Sequence, residues 1–204
     1  MPEIDDATAE RHREKMAKRK AVQDAEVAGK TVEKGLLLVH TGPGKGKSTA
    51  AFGLALRMLG HGRRVGVVQF IKGARDAGER RALAAFGDAV AWHTMGEGFT
   101  WETQDLRRDI AAAERAWAQA EALMADPSIA LLLLDELNIA LRYDYLELGR
   151  VLAALAARRP ELHVVVTGRN AKADLLAAAD LVTEFGQVRH PFAAGVKAQE
   201  GIEF

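Results

Sequence analysis

The chain has no cysteine, so disulfides, thiolate metal sites and a cysteine nucleophile are excluded. It has no excess of charge: 28 Lys and Arg balance 28 Asp and Glu. That removes any global attraction to nucleic acid or to an acidic membrane surface, and neither is expected as a partner. It has no long apolar run. The longest aliphatic stretch, Ile129 to Leu134, falls far short of the ~20 residues a membrane span needs. Internal repeats and low-complexity linkers are also lacking. The N-terminus, Met1-Pro2-Glu3-Ile4-Asp5-Asp6, is acidic and followed by more charge, unlike a signal peptide, so a cytoplasmic protein is expected.

What is present is ordinary for a soluble globular chain: 49% hydrophobic and 27% charged residues, which points to a packed domain rather than a disordered one. A length of 204 residues is enough for one domain that buries roughly 70% of its unfolded surface.

The most informative stretch is Thr41-Gly42-Pro43-Gly44-Lys45-Gly46-Lys47-Ser48-Thr49. An apolar run, Gly35 to His40, precedes it and reads as a buried strand; Ala50 to Leu59 follows and reads as a helix. Strand, glycine-rich turn and helix make a phosphate-binding loop. Glycines let successive N–H groups curl toward one anion, and the helix N-terminus adds its dipole. Lys47 supplies a positive charge and Ser48 a hydroxyl for Mg²⁺. The consensus G-x-x-x-x-G-K-[ST] is met except at its first position, where Thr41 stands in place of glycine.

Residues 1–34 differ from the rest. Large apolar residues are few, and Arg11 to Lys20 carries six basic residues and one acid. Such a stretch cannot bury enough apolar surface to fold alone, although its Ala, Glu, Lys and Arg favour a helix. Two readings stay open: a solvated tail, or a mobile arm that orders over a ligand.

From residue 35 onward the chain alternates. Strands are expected at 65–70, 89–93, 129–136, 162–167 and 181–185, and helices at 77–86, 102–125, 144–158 and 171–179. Apolar strands alternating with helices imply a three-layer α/β domain, a mostly parallel sheet covered on both faces. Ligands of such sheets sit at the strands' C-terminal ends. Those ends are Thr41–Ser48, Gln69–Gly73, Asp135–Glu136 and Thr167–Asn170. Asp135 and Glu136 close a fully apolar strand and can hold Mg²⁺, Asp135 directly or through water. Lys45, Lys47 and Arg169 can neutralise phosphate charge. The loop Gly96 to Asp105 holds Phe99 and Trp101 between glycines and acids. They either anchor the loop into the core or form a flat wall for a large planar ligand. On these grounds alone the chain binds a nucleoside triphosphate with Mg²⁺, as an NTPase, a small-molecule kinase or a nucleotide-gated binding module would.

Further motifs narrow this. The phosphate loop, Gly60-His61-Gly62, Val67-Val68-Gln69-Phe70-Ile71-Lys72-Gly73, Gly98-Phe99-Thr100-Trp101, Leu134-Asp135-Glu136-Leu137-Asn138, Thr167-Gly168-Arg169 and the tail from His190-Pro191-Phe192 to Gly201-Ile202-Glu203 resemble the ATP:corrinoid adenosyltransferase family. The resemblance covers nearly all of residues 30–204. It implies a RecA-like P-loop NTPase fold and a reaction in which Co(I) of a corrinoid takes the adenosyl group of ATP and releases triphosphate. It implies that Thr41 through Thr49 and Arg169 bind ATP, with Lys47 catalytic and Mg²⁺ on Ser48, Glu136 and Asp135. It implies that Phe99 and Trp101 press on the lower face of the corrin and displace its axial ligand. It further implies a homodimer, a flavoprotein reductase as partner, no protein-bound redox cofactor, and residues 1–34 as an arm closing over the corrinoid. His40, His93 and His163 are then structural.

Overall fold

The computed structural model describes residues 5–71, 78–94 and 105–203. The chain divides into two compact units, Met1–Glu33 and Lys34–Phe204. The first contains one helix, α1 (Asp6–Ala28), with no buried residue. Its start is capped by Asp5, whose carboxylate accepts from the Thr8 backbone N–H at 2.6 Å.

In the second unit, chain order runs β1 (Leu37–Thr41), α2 (Lys47–Gly60), β2 (Arg64–Gln69), α3 (Gly78–Leu83), a 3₁₀ segment (Ala84–Ala89) and β3 (Val90–Thr94). It continues with α4 (Leu106–Ala125), β4 (Ile129–Asp135), α5 (Leu137–Arg142), α6 (Leu148–Ala156), β5 (His163–Thr167), α7 (Ala173–Ala178) and β6 (Leu181–Glu184), and a short 3₁₀ turn follows (Pro191–Ala194). Among the described residues, six strands form one sheet in the order β3-β2-β4-β5-β1-β6. Every pairing is parallel.

The β4 sequence shows why the sheet is covered on both sides. Leu131 and Leu133 pack with Ala51, Phe52, Ala55 and Leu59 of α2. Leu132 and Leu134 pack with Ala116, Trp117 and Ala120 of α4. Successive strand residues point to opposite faces, so an unbroken leucine run needs an apolar partner on each side. The result is the three-layer α/β arrangement expected from the alternation. β5 separates the strand that enters the phosphate loop from the strand that ends in Asp135, the RecA-like order.

The expected helix over 144–158 is shorter, forming over Leu148–Ala156 as α6, and a further short helix that was not expected precedes it. The chain turns directly from Glu136 into α5, which stops after Arg142. Asp144 takes a left-handed backbone (φ 56°), a conformation that Asp tolerates better than most side chains. Glu147 then caps α6, accepting from the N–H groups of Gly149 (2.8 Å) and Arg150 (2.6 Å). The expected helix at 77–86 is α3 followed by a 3₁₀ segment, bent where Gly87 adopts φ 53°.

Candidate active site

The phosphate loop leaves the C-terminal end of β1 and enters α2 at Lys47. Gly46, the residue before that helix, has φ 104°, a conformation strained for any residue with a side chain. Gly44 is held for a different reason. Its N–H donates to the Phe185 carbonyl at 2.6 Å, and a Cβ there would lie 2.4 Å from the Gly186 oxygen. The departure at Thr41 also has a partner: its hydroxyl accepts from the Ala171 backbone N–H at 3.1 Å. A glycine could not make that bond, which ties the start of the loop to the segment following Arg169.

Lys47 is buried, and its ammonium donates to the carbonyls of Gly42 (3.0 Å) and Gly44. Burial pulls its pKa down, Glu136 opposes that shift, and Arg169 and Lys45 add to it. Lys45 is exposed and pairs with Glu203 of the tail. Ser48 is half-buried, while Pro43 and Thr49 are exposed. His40 has a structural part: its Nδ1 donates to the Lys47 carbonyl at 3.1 Å.

Asp135 is buried at the end of β4, with the Thr167 hydroxyl donating to Oδ1 at 2.8 Å and the Gln69 amide donating to Oδ2 at 3.1 Å. Glu136 follows in a left-handed conformation, φ 61°, and its N–H donates to the Thr167 hydroxyl at 3.0 Å. Backbone strain of this kind costs on the order of 1–3 kcal/mol and turns the second acid away from the strand direction. Burial, then the neighbouring Asp135, raises the Glu136 pKa to about 7, against the opposing pull of Lys47 and Arg169. Arg169 itself is exposed, in the turn after β5. Asn138 joins the strand ends by donating to the Gly168 carbonyl at 2.9 Å.

The arrangement therefore brings together the phosphate loop, Lys47, Glu136 and Arg169, the last two sensing Lys47 electrostatically. Ser48, buried Asp135 and half-buried Glu136 offer hard oxygen donors, and desolvation together with the neighbouring Asp135 makes the Glu136 charge costly. Both features fit Mg²⁺. Among the described residues no group of three or more His, Cys, Asp or Glu could hold a metal by itself. Phe99 and Trp101, like Lys72 and Gly73, lie outside the described residues. Sequence reasoning placed Gln69 at a strand end and Asn138 and Glu203 within motifs without giving any of them a role, and it did not single out Thr94. For Gln69 the available signal was a polar side chain ending an apolar strand beside the acid strand.

A parallel α/β sheet with this loop, lysine and acid pair at its C-terminal edge defines a phosphate-loop nucleotide-binding protein. Comparison with known proteins carries the assignment further. Residues 33–204 match the model described as ATP:corrinoid adenosyltransferase BtuR/CobO/CobP. Residues 1–27 match a separate model, the cob(I)alamin adenosyltransferase N terminal. A corrinoid adenosyltransferase of Pseudomonas aeruginosa is 58% identical over 96% of both chains. One from Sinorhizobium is 54% identical over 99% of this chain and 94% of its own. The corrinoid adenosyltransferase CobA of Salmonella typhimurium is 47% identical over 96% and 98%. Among solved structures, flagellar accessory protein FlaH from Methanocaldococcus jannaschii superimposes with a TM-score of 0.48 at 11% identity, over 76% of this chain and 73% of its own. The chain belongs to the ATP:corrinoid adenosyltransferase family and is a transferase. None of its described helices is long and apolar enough to cross a membrane.

Proposed function

We propose that the chain transfers the 5′-deoxyadenosyl group of ATP to Co(I) of a corrinoid, cob(I)yrinic acid a,c-diamide or cob(I)alamin. The Co(I) lone pair forms the bond to C5′, the C5′–O bond breaks, and inorganic triphosphate leaves with that electron pair. Co(I) is a strong nucleophile, so the protein need supply neither nucleophile nor general base. Its work is positioning and stabilising charge on the leaving group. The observation that carries this reading is the convergence of Lys47, the loop backbone and Arg169 beside an acid pair in which the Glu136 charge is costly.

In this reading residues Thr41 to Thr49 and Arg169 bind ATP. Lys47 exchanges the carbonyls of Gly42 and Gly44 for triphosphate oxygens. Ser48 and Glu136 hold Mg²⁺, with Asp135 direct or through water, and the ion neutralises triphosphate charge when bound. Phe99 and Trp101 face the lower side of the corrin. Residues 1–34 form an arm over the corrinoid and residues 35–204 the catalytic domain, a division supported by separate family models for the two parts. A homodimer, supplied with electrons by a flavoprotein reductase in the cytoplasm, completes the proposal.

The test is anaerobic. Protein, Mg·ATP and chemically reduced corrinoid are mixed, the visible spectrum is followed for the light-sensitive alkylcobalt product, and triphosphate is assayed. Stoichiometric product and triphosphate are expected. Phosphate or ADP without alkylcobalt would instead make this an NTPase or kinase of the same fold.

A further inference from the structure

A row of side chains crosses the C-terminal edge of the sheet from β3 to β5. The Trp92 indole N–H donates to the Thr94 hydroxyl at 2.9 Å. The Thr94 hydroxyl donates to Gln69 Oε1 at 3.1 Å. Gln69 Nε2 donates to Asp135 Oδ2 at 3.1 Å, and from the far side the Thr167 hydroxyl donates to Asp135 Oδ1 at 2.8 Å. Strand register makes this possible: Gln69 is paired with Thr94 on one side and Asp135 on the other.

The direction of every proton in the row is fixed. The Gln69 NH₂ donates to Asp135, which leaves the Gln69 carbonyl, an acceptor, facing Thr94; the Thr94 hydroxyl, which accepts from the Trp92 indole, therefore gives its own proton to Gln69. The same reasoning holds opposite, where the Glu136 backbone N–H donates to Thr167 Oγ1 and turns that hydroxyl's proton onto Asp135. Asp135 therefore receives one oriented donor on each oxygen. The start of the row is itself braced, because Trp92 stacks on Phe52 of α2 with ring centroids 5.4 Å apart and planes 2° from parallel.

We propose that Gln69, oriented by Thr94, is a positioning residue that holds the Asp135 carboxylate toward bound Mg·ATP. The inference rests on the reading of Asp135 and Glu136 as the Mg²⁺ acids. Only an amide serves here, since it presents an acceptor to Thr94 and a donor to Asp135. A carboxylate at position 69 would set acceptor against acceptor.

The experiment is titration calorimetry of ATP with and without Mg²⁺, alongside melting temperature, for Gln69→Met, Thr94→Val, Thr94→Ser and Asp135→Asn. Losing one hydrogen bond to a charged group weakens binding by about tenfold. Gln69→Met is expected to weaken Mg·ATP about tenfold while metal-free ATP affinity stays within about twofold. Thr94→Val should act in the same direction by about threefold, and Thr94→Ser, which keeps the hydroxyl, should match the parent. The double variant Gln69→Met with Thr94→Val should be no worse than Gln69→Met alone, because both act through one bond. If Asp135→Asn weakens Mg·ATP but neither Gln69→Met nor Thr94→Val does, the positioning inference is wrong. If Asp135→Asn leaves the Mg²⁺ dependence intact, the acid assignment itself fails. Should Gln69→Met not fold, the two Thr94 variants decide the matter, and equal behaviour of Val and Ser overturns the inference.

Discussion

Replacing Glu136 by Gln should make the nucleotide-free protein more stable at alkaline pH while removing its activity. Burial and the adjacent Asp135 raise the Glu136 carboxyl to about 7 from the ordinary glutamate value of 4.5. A folded-state pKa above the unfolded value means that the native state holds the proton more tightly. The group is therefore neutral and harmless below about pH 4.5. Its ionisation then costs stability increasingly as pH rises through 7 and stays costly above. Each unit is worth about 1.36 kcal/mol, which sets an upper limit near 3 kcal/mol in the absence of a cation. Between about pH 5 and about pH 8.5 the linkage relation gives a change of about 2–3 kcal/mol. Gln has nearly the same shape and no charge, so the variant escapes this penalty while Asp135, Lys47 and Arg169 remain in place. Urea unfolding of both proteins, without Mg²⁺ or ATP, measures it. The Glu136→Gln advantage should grow by about 2–3 kcal/mol from the lower to the higher pH, or roughly 5–10 °C in melting temperature. An advantage that is absent, or that shrinks with rising pH, would refute the account of a desolvated acid beside Asp135. In the adenosylation assay the same variant should lose at least about a hundredfold in turnover, the scale seen when a stabilising electrostatic group is removed.

Lys47→Ala should abolish measurable product by removing charge stabilisation of the leaving triphosphate, a loss of about 10²–10³ or more in rate; full activity would sink the loop assignment. Gly44→Ala places a methyl 2.4 Å from the Gly186 carbonyl oxygen and should cost about 1–3 kcal/mol in chemical denaturation, with weakened ATP binding. Unchanged stability and affinity would show that the loop has room to give. Trp101→Ala should impair turnover starting from Co(II) more than turnover from chemically reduced Co(I), and equal effects would count against displacement of the axial ligand.

Much of the fold could be read from the linear chain because its signals are local. The leucine run of β4 announces a doubly buried strand, and Gly46-Lys47-Ser48 announces the loop, since neighbouring residues carry the whole pattern. Helix boundaries near 137–147 were not legible: no helix was expected over 137–142, and the one expected from 144 begins at 148. What sets that start is the left-handed Asp144 and the capping of α6 by Glu147. Nor was the role of Thr41, whose hydrogen-bond partner lies at Ala171.

By itself, then, the sequence determined that the protein has a phosphate loop, a parallel α/β core and an acid pair, and through its motifs the family. Tertiary structure alone decided the strand order that sets β5 between β1 and β4. It also decided the burial that raises Glu136 and the row from Trp92 to Asp135. The reason is physical. A motif is stored in adjacent residues, whereas proton direction, desolvation and cross-strand pairing arise only when register brings distant residues side by side.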